Sequence, residues 1–250
     1  MRKNYFYLLV TLLVVLFLGC GTKRASYELK SLDGYNVLMD KSFDENKDPI
    51  ADSILNVYKA HTVTILDSVI GYSKVFMDKG LREESVLGNF AADIIATAAE
   101  EIFDTKVDMG LMNRGGLRTS LPQGEITLGD IFKVFPFENH VTIVEIKGNF
   151  LKQLFEDFAA TNVQCLSRVK LVIENKEIKT LLVDGKTIDN EKIYKIGTID
   201  FIAEGNDNMK VLKNAVNRYD SPILIRDAVA KYVYNNSPVD SKKDGRIINN

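Results

Sequence analysis

Residues 113 to 118 read NRGGLR, and further on the chain turns through a Pro-Phe-Glu-Asn corner around Phe137. Two glycines between two arginines suit a tight turn. Gly115 and Gly116 are expected to take positive φ and to let a ligand approach the backbone closely. Arg118 would then present a planar fork of donors to a phosphate or carboxylate. A plain turn with a solvated arginine is the competing reading. In the corner, Pro136 fixes its own φ and gives up a donor, so Phe137 could offer its ring face to a flat ligand. Asn139 could read the edge of that ligand as both donor and acceptor. A phenylalanine that simply plugs the core is the alternative. A third stretch, TIDFIAEGNDNM, carries Phe201 six residues before Asp207. Its Asx and Gly residues are ordinary turn chemistry, yet an aromatic followed by an acid suits a second stacking face with a carboxylate for sugar hydroxyls. Two loop-borne rings, an arginine and an acid together describe a nucleotide-like pocket.

Other chemistries are poorly provided for. The chain has two histidines, His61 and His140, and neither stands in a metal-ligand spacing. His61 reads as the end of a helix and His140 as the start of a strand. There is no GxGxxG, GxxxxGK[ST] or GxSxG. Ser167-Arg168-Val169-Lys170 matches SxxK formally, but in a strand-like segment rather than at a helix start. No carboxylate stands in a setting that would raise its pKa for acid–base work. Catalysis by this chain alone is therefore unsupported, and no cofactor is expected in it. A formal net charge of −2 implies no general affinity for nucleic-acid polymers.

The elements that must position these residues follow from periodicity. Residues 1–19 read as a secretory signal: Arg2 and Lys3, an apolar run from Phe6 to Leu18, then Gly19-Cys20. Cys20 directly after the small residue makes it a lipoprotein signal, with Phe17 where leucine is usual. Cys20 is thus the expected lipidation site. The chain is expected to be exported and anchored in a bacterial membrane, facing the periplasm or the cell surface. Cys165 is then left unpaired, as a buried small hydrophobe. Residues 20–48 read as a polar, turn-rich linker with a short strand, YELK, and residues 49–250 as one domain.

Within that domain IADSILNVYKAH has helical spacing and TVTILDSVIGY alternates as a strand. ESVLGNFAADIIATAAEEIF is the strongest helix, its alanines adding propensity, and KVDMGLMN is a strand. TLGDIFKVF is a short helix with Thr127 as cap and Asp130 completing a box. HVTIVEIK alternates as a strand, and GNFLKQLFEDFAA stacks Phe150, Leu151, Leu154, Phe155 and Phe158 on one side. Three strands follow in RVKLVIEN, IKTLLVD and KIYKIGTID, and Ser221-Pro222 opens the last helix. Helices and strands mix without strict alternation, so the fold class is α+β (mixed α/β), a mixed sheet with packed helices.

Read together, ESVLGNFAADII, NRGGLR, GEIT, FPFEN, KGNFLKQLFED, YKIGTIDFIAEGND and the terminal DGRI resemble the C-terminal, substrate-binding domain of the 5′-nucleotidase family, from about Asp48 to Arg246. The resemblance implies that Phe137 and Phe201 sandwich a nucleobase, Asn139 contacts its edge, Asp207 binds ribose hydroxyls and Arg118 contacts phosphate. Arg82 stands near the position of further family arginines, one residue off in register. Arg168 replaces a family glycine after Ser167, with consequences expected near the base. The family loop GGDGY is GNDNM here, a change that αL-tolerant asparagines can absorb. The metal-bearing N-terminal metallophosphoesterase domain of two-domain members has no counterpart in this chain. The resemblance thus implies a split phosphohydrolase: this chain holds a nucleoside monophosphate or nucleoside, and a separately encoded metallophosphoesterase supplies divalent metal. A stand-alone binding lipoprotein without catalytic role is the alternative, and a remnant that no longer binds is a third.

Overall fold

The structure, a computed structural model, describes residue 31, residues 34–36, residue 41, residues 48–80 and residues 84–250. The signal, Cys20, YELK and Arg82 lie outside the described residues. The chain divides into two compact units, Met1–Asp52 and Ser53–Asn250. In the first, Asp48 accepts a hydrogen bond from the Ile50 amide at 2.8 Å, capping helix α1 (Pro49–Leu66), which runs on into the second. The helix continues through Thr62–Leu66, where the alternating β-branched residues suggested a strand. Helical bonding wins there, and the Thr64 hydroxyl donates back to the Ala60 carbonyl at 3.1 Å. His61 is therefore inside a helix rather than at its end. The strand β1 is only Val69–Ser73.

The second unit is built on a five-stranded sheet in the order β5-β2-β8-β4-β9. Its members are β2 (Met109–Met112), β4 (His140–Lys147), β5 (Cys165–Ser167), β8 (Ile193–Ile199) and β9 (Asn217–Leu224). Strands β2 and β8 run parallel; β5, β4 and β9 run antiparallel to their neighbours. Val141, Thr142, Ile143 and Val144 are buried in succession, the pattern of a strand covered on both faces. Helix α2 (Val86–Phe103) packs on β2, β5 and β8. It comes close because a Cβ on Gly110 would stand 2.3 Å from the Ala92 carbonyl, and one on Gly197 would stand 3.1 Å from the Ala99 methyl. Ser85 caps α2 by accepting from the Gly88 amide at 3.0 Å. Helix α4 (Gly148–Ala160) packs against the same sheet with Leu151, Leu154, Phe155 and Phe158 buried.

Strands β1 and β3 (Gly124–Thr127) form a two-stranded ribbon. It leads into α3 (Leu128–Val134), whose reciprocal box joins Thr127 and Asp130 as the sequence predicts. Strands β6 (Val169–Glu174), β7 (Glu177–Val183) and β10 (Ile247–Asn249) form a second sheet in which β10 lies parallel to β6. Helix α6 (Ile225–Asn236) starts three residues later than expected. Ser221-Pro222 instead belongs to edge strand β9, where the register with β4 shifts between His140 and Thr142. A proline without an N–H fits a bulge on an edge strand. The fold class is the expected one: a mixed sheet with packed helices.

Candidate functional site

Strand directions decide which loops meet. Because β2 and β8 are parallel, the residues after both strands emerge at one end of the sheet. Because β4 is antiparallel to β8, the residues before β4 join them there. That edge carries a 3₁₀ turn after β2 (Arg114–Gly116) and the short helix α5 (Asp200–Ala203) with its GNDNM loop after β8. The Pro136–Asn139 corner before β4 completes it. Thus Arg118, Phe137, Asn139, Phe201 and Asp207, scattered along the sequence, come to one edge.

Local bonds hold the three loops. The Arg118 amide donates to the Val134 carbonyl at 3.0 Å, joining the first loop to the end of α3. Its guanidinium lies 5.9 Å from the centre of the Phe137 ring and donates to the Gly115 carbonyl at 3.3 Å. His140 Nδ1 lies 2.9 Å from Asp200 Oδ2, fastening the base of the corner to the start of α5. The Phe201 amide donates to Asp200 Oδ1 at 2.7 Å, and Asn206 Nδ2 donates to the Phe201 carbonyl at 2.9 Å. Gly205, Asp207 and Asn208 take φ of 80°, 51° and 65°, so the loop keeps a left-handed turn with an aspartate and an asparagine in it. Phe137 is 46% exposed and Phe201 37%, so neither ring plugs the core.

Gly115 and Gly116 are not in the left-handed region, contrary to expectation, and their value is space alone. A Cβ on Gly116 would stand 2.6 Å from Asn113 Oδ1, and one on Gly115 would stand 3.3 Å from Asp207 Oδ2. Sequence reasoning missed Asn113, which is 3% exposed and donates through Nδ2 to Asp207 Oδ2. Its Oδ1 is buried without a partner. A polar residue ending an apolar strand was the available signal.

Arg168 is not at this edge. Ser167 pairs with Gly110, so Arg168 stands beside the start of β2, the opposite end from Arg114. Its guanidinium is held by both Glu100 oxygens at 2.6 and 2.8 Å and by the Val107 carbonyl at 2.7 Å. That hydrogen bonding holds the Glu100 carboxyl below its ordinary range. The SxxK serine is buried, with its hydroxyl 2.6 Å from Asp93. Cys165 is buried, and desolvation pushes its thiol up to about 11. Among the described residues, no three His, Cys, Asp or Glu side chains are grouped as a metal site.

A mixed α/β domain that gathers two half-exposed rings, an arginine and an aspartate on one sheet edge defines a class of ligand-binding domain. Residues 69–214 match the 5′-nucleotidase, C-terminal domain family, and the chain belongs to it. Protein UshA of Yersinia enterocolitica is 26% identical over 141 residues, covering 54% of this chain and 26% of that protein. An apyrase of Aedes aegypti is 26% identical over 243 residues, covering 88% of this chain and 42% of that protein. The chain thus spans less than half the length of these relatives. The crystal structure of a 5′-nucleotidase precursor from Thermus thermophilus superposes with a TM-score of 0.71 at 25% identity, over 80% of this chain and 43% of that one. Among the described residues no helix is long and apolar enough to cross a membrane.

Proposed function

We propose that this edge binds a nucleoside monophosphate and presents it to a separately encoded metallophosphoesterase. Phe137 and Phe201 stack on the base, Asn139 contacts the base edge, Asp207 takes the ribose hydroxyls and Arg118 the phosphate. Asn113 orients Asp207. The observation that carries this reading is the convergence of two half-exposed rings from different loops beside Arg118 and Asp207. The family membership agrees with it. Divalent metal and the bond-breaking step belong to the partner chain. Cys20 is the lipid anchor of an exported protein in this reading.

Calorimetric titration with adenosine and AMP tests the site. Phe137→Ala is expected to weaken both ligands by about 5- to 150-fold, the worth of one base–aromatic stack. Arg118→Ala is expected to weaken AMP but not adenosine, by about 10- to 150-fold for a charged hydrogen-bond set. Phosphate release from AMP, with divalent metal and with or without the metallophosphoesterase chain, tests the division of labour. Robust turnover by this chain alone defeats it.

A further inference from the structure

The Pro136–Asn139 corner has few anchors of its own. Pro136 offers no donor, and the three residues after it lie in neither helix nor strand. Among the described residues, the backbone hydrogen bond made by this corner runs from the Ile225 amide to the Asn139 carbonyl at 2.9 Å. The next residue of α6, Arg226, supplies a side-chain tie to Glu138. Its side chain is only 13% exposed, its guanidinium lies 4.8 Å from the centre of the Phe132 ring on α3, and Nη2 reaches Glu138 Oε1 at 3.3 Å. Nε is buried without a partner. An idle buried donor is costly. A leucine or methionine would cover Phe132 without that cost, but could not reach Glu138.

We propose that Arg226 is a positioning residue for the base-stacking ring. It is locked over Phe132 and, through Glu138, fixes the corner that aims Phe137 and Asn139. The consequence for ligand affinity rests on the nucleotide reading given above; the consequence for the ring does not. Arg226 touches no ligand in this arrangement. It acts through Phe132 on α3 and Glu138, the residue after Phe137.

The chain contains no tryptophan, so Phe137→Trp makes a single fluorescent reporter at the corner. In that background Arg226→Ala is expected to raise quenching by iodide and acrylamide, and Glu138→Gln to do so to a smaller extent. Glu138 is 78% exposed, so its substitution keeps the test alive where the arginine variant misfolds. In the parent chain Arg226→Ala is expected to weaken adenosine binding by up to about 30-fold, the scale of a desolvated cation–π tie. Arg226→Lys is expected to recover part of that loss, since it keeps the charge near Glu138 but not the flat stack. Quenching unchanged in both variants overturns the proposal. If the parent chain fails to bind adenosine, the nucleotide reading fails, while the quenching data still decide whether Arg226 holds the corner.

Discussion

Arg118 over Phe137 is an exposed cation–π contact, worth about 0.5–1 kcal/mol. So weak a pair can part to admit a base without a large cost, whereas Asn113 and Asp207 form a stiffer unit. Asp207→Ala would leave both polar ends of a buried side chain idle. It is expected to lower unfolding stability by about 1–3 kcal/mol even though Asp207 is exposed, and urea unfolding measures it. Asn113→Ala removes both idle groups at once and is expected to cost less than Asp207→Ala in the same measurement. NRGGLR showed its arginine and its tight turn plainly in sequence. The reason for Gly115 was not visible there, because what crowds it is an aspartate far along the chain. Arg168 misled for the same cause: which end of β2 it meets is set by the antiparallel direction of β5, a property no local motif encodes.

At the level of elements, periodic stripes made α2 and α4 legible, and the capping box fixed the start of α3. Thr127→Ala is expected to cost about 1 kcal/mol, read as a fall of about 2–4 °C in the thermal midpoint. The start of α6 was not legible, because Ser-Pro is equally good at a helix start and in an edge bulge. The ion pairs that fasten α2 carry a pH dependence. Hydrogen bonding from Arg168 lowers the Glu100 carboxyl, and Arg246 draws Asp244 down to about 2. Arg246 also joins Asp93 of α2 at 2.7 Å. Both carboxyl groups have folded values below their unfolded ones. Their contribution is complete above the unfolded values near 4 and lost as pH falls through the folded ones. Glu100→Gln is therefore expected to be less stable than the parent at pH 7. The gap should close as pH falls through the lowered folded value of Glu100, as followed by urea unfolding across pH.

Over the whole molecule, α1 stands apart from the packed core. From Ser53 to Ile65 the described side chains are exposed, including Ile54, Leu55, Val57, Tyr58 and Ile65. Its C-terminal end is where it meets the domain: a Cβ on Gly129 would stand 3.0 Å from the Leu66 carbonyl, and the Leu128 amide donates to the Ser68 carbonyl at 2.9 Å. A helix with no packed face is marginal in water. Hydrogen exchange on the isolated chain is therefore expected to be fast over Ser53–Ile65 and slow over α2; comparable protection in both would refute this. Far along the chain from α1, β10 completes the second sheet beside β6 and is keyed by Arg246 to α2. Polypeptides are made from the N-terminus onward, so β6 and β7 emerge well before the strand that completes their sheet. Until β10 arrives, one side of β6 is an open edge that another chain could pair with.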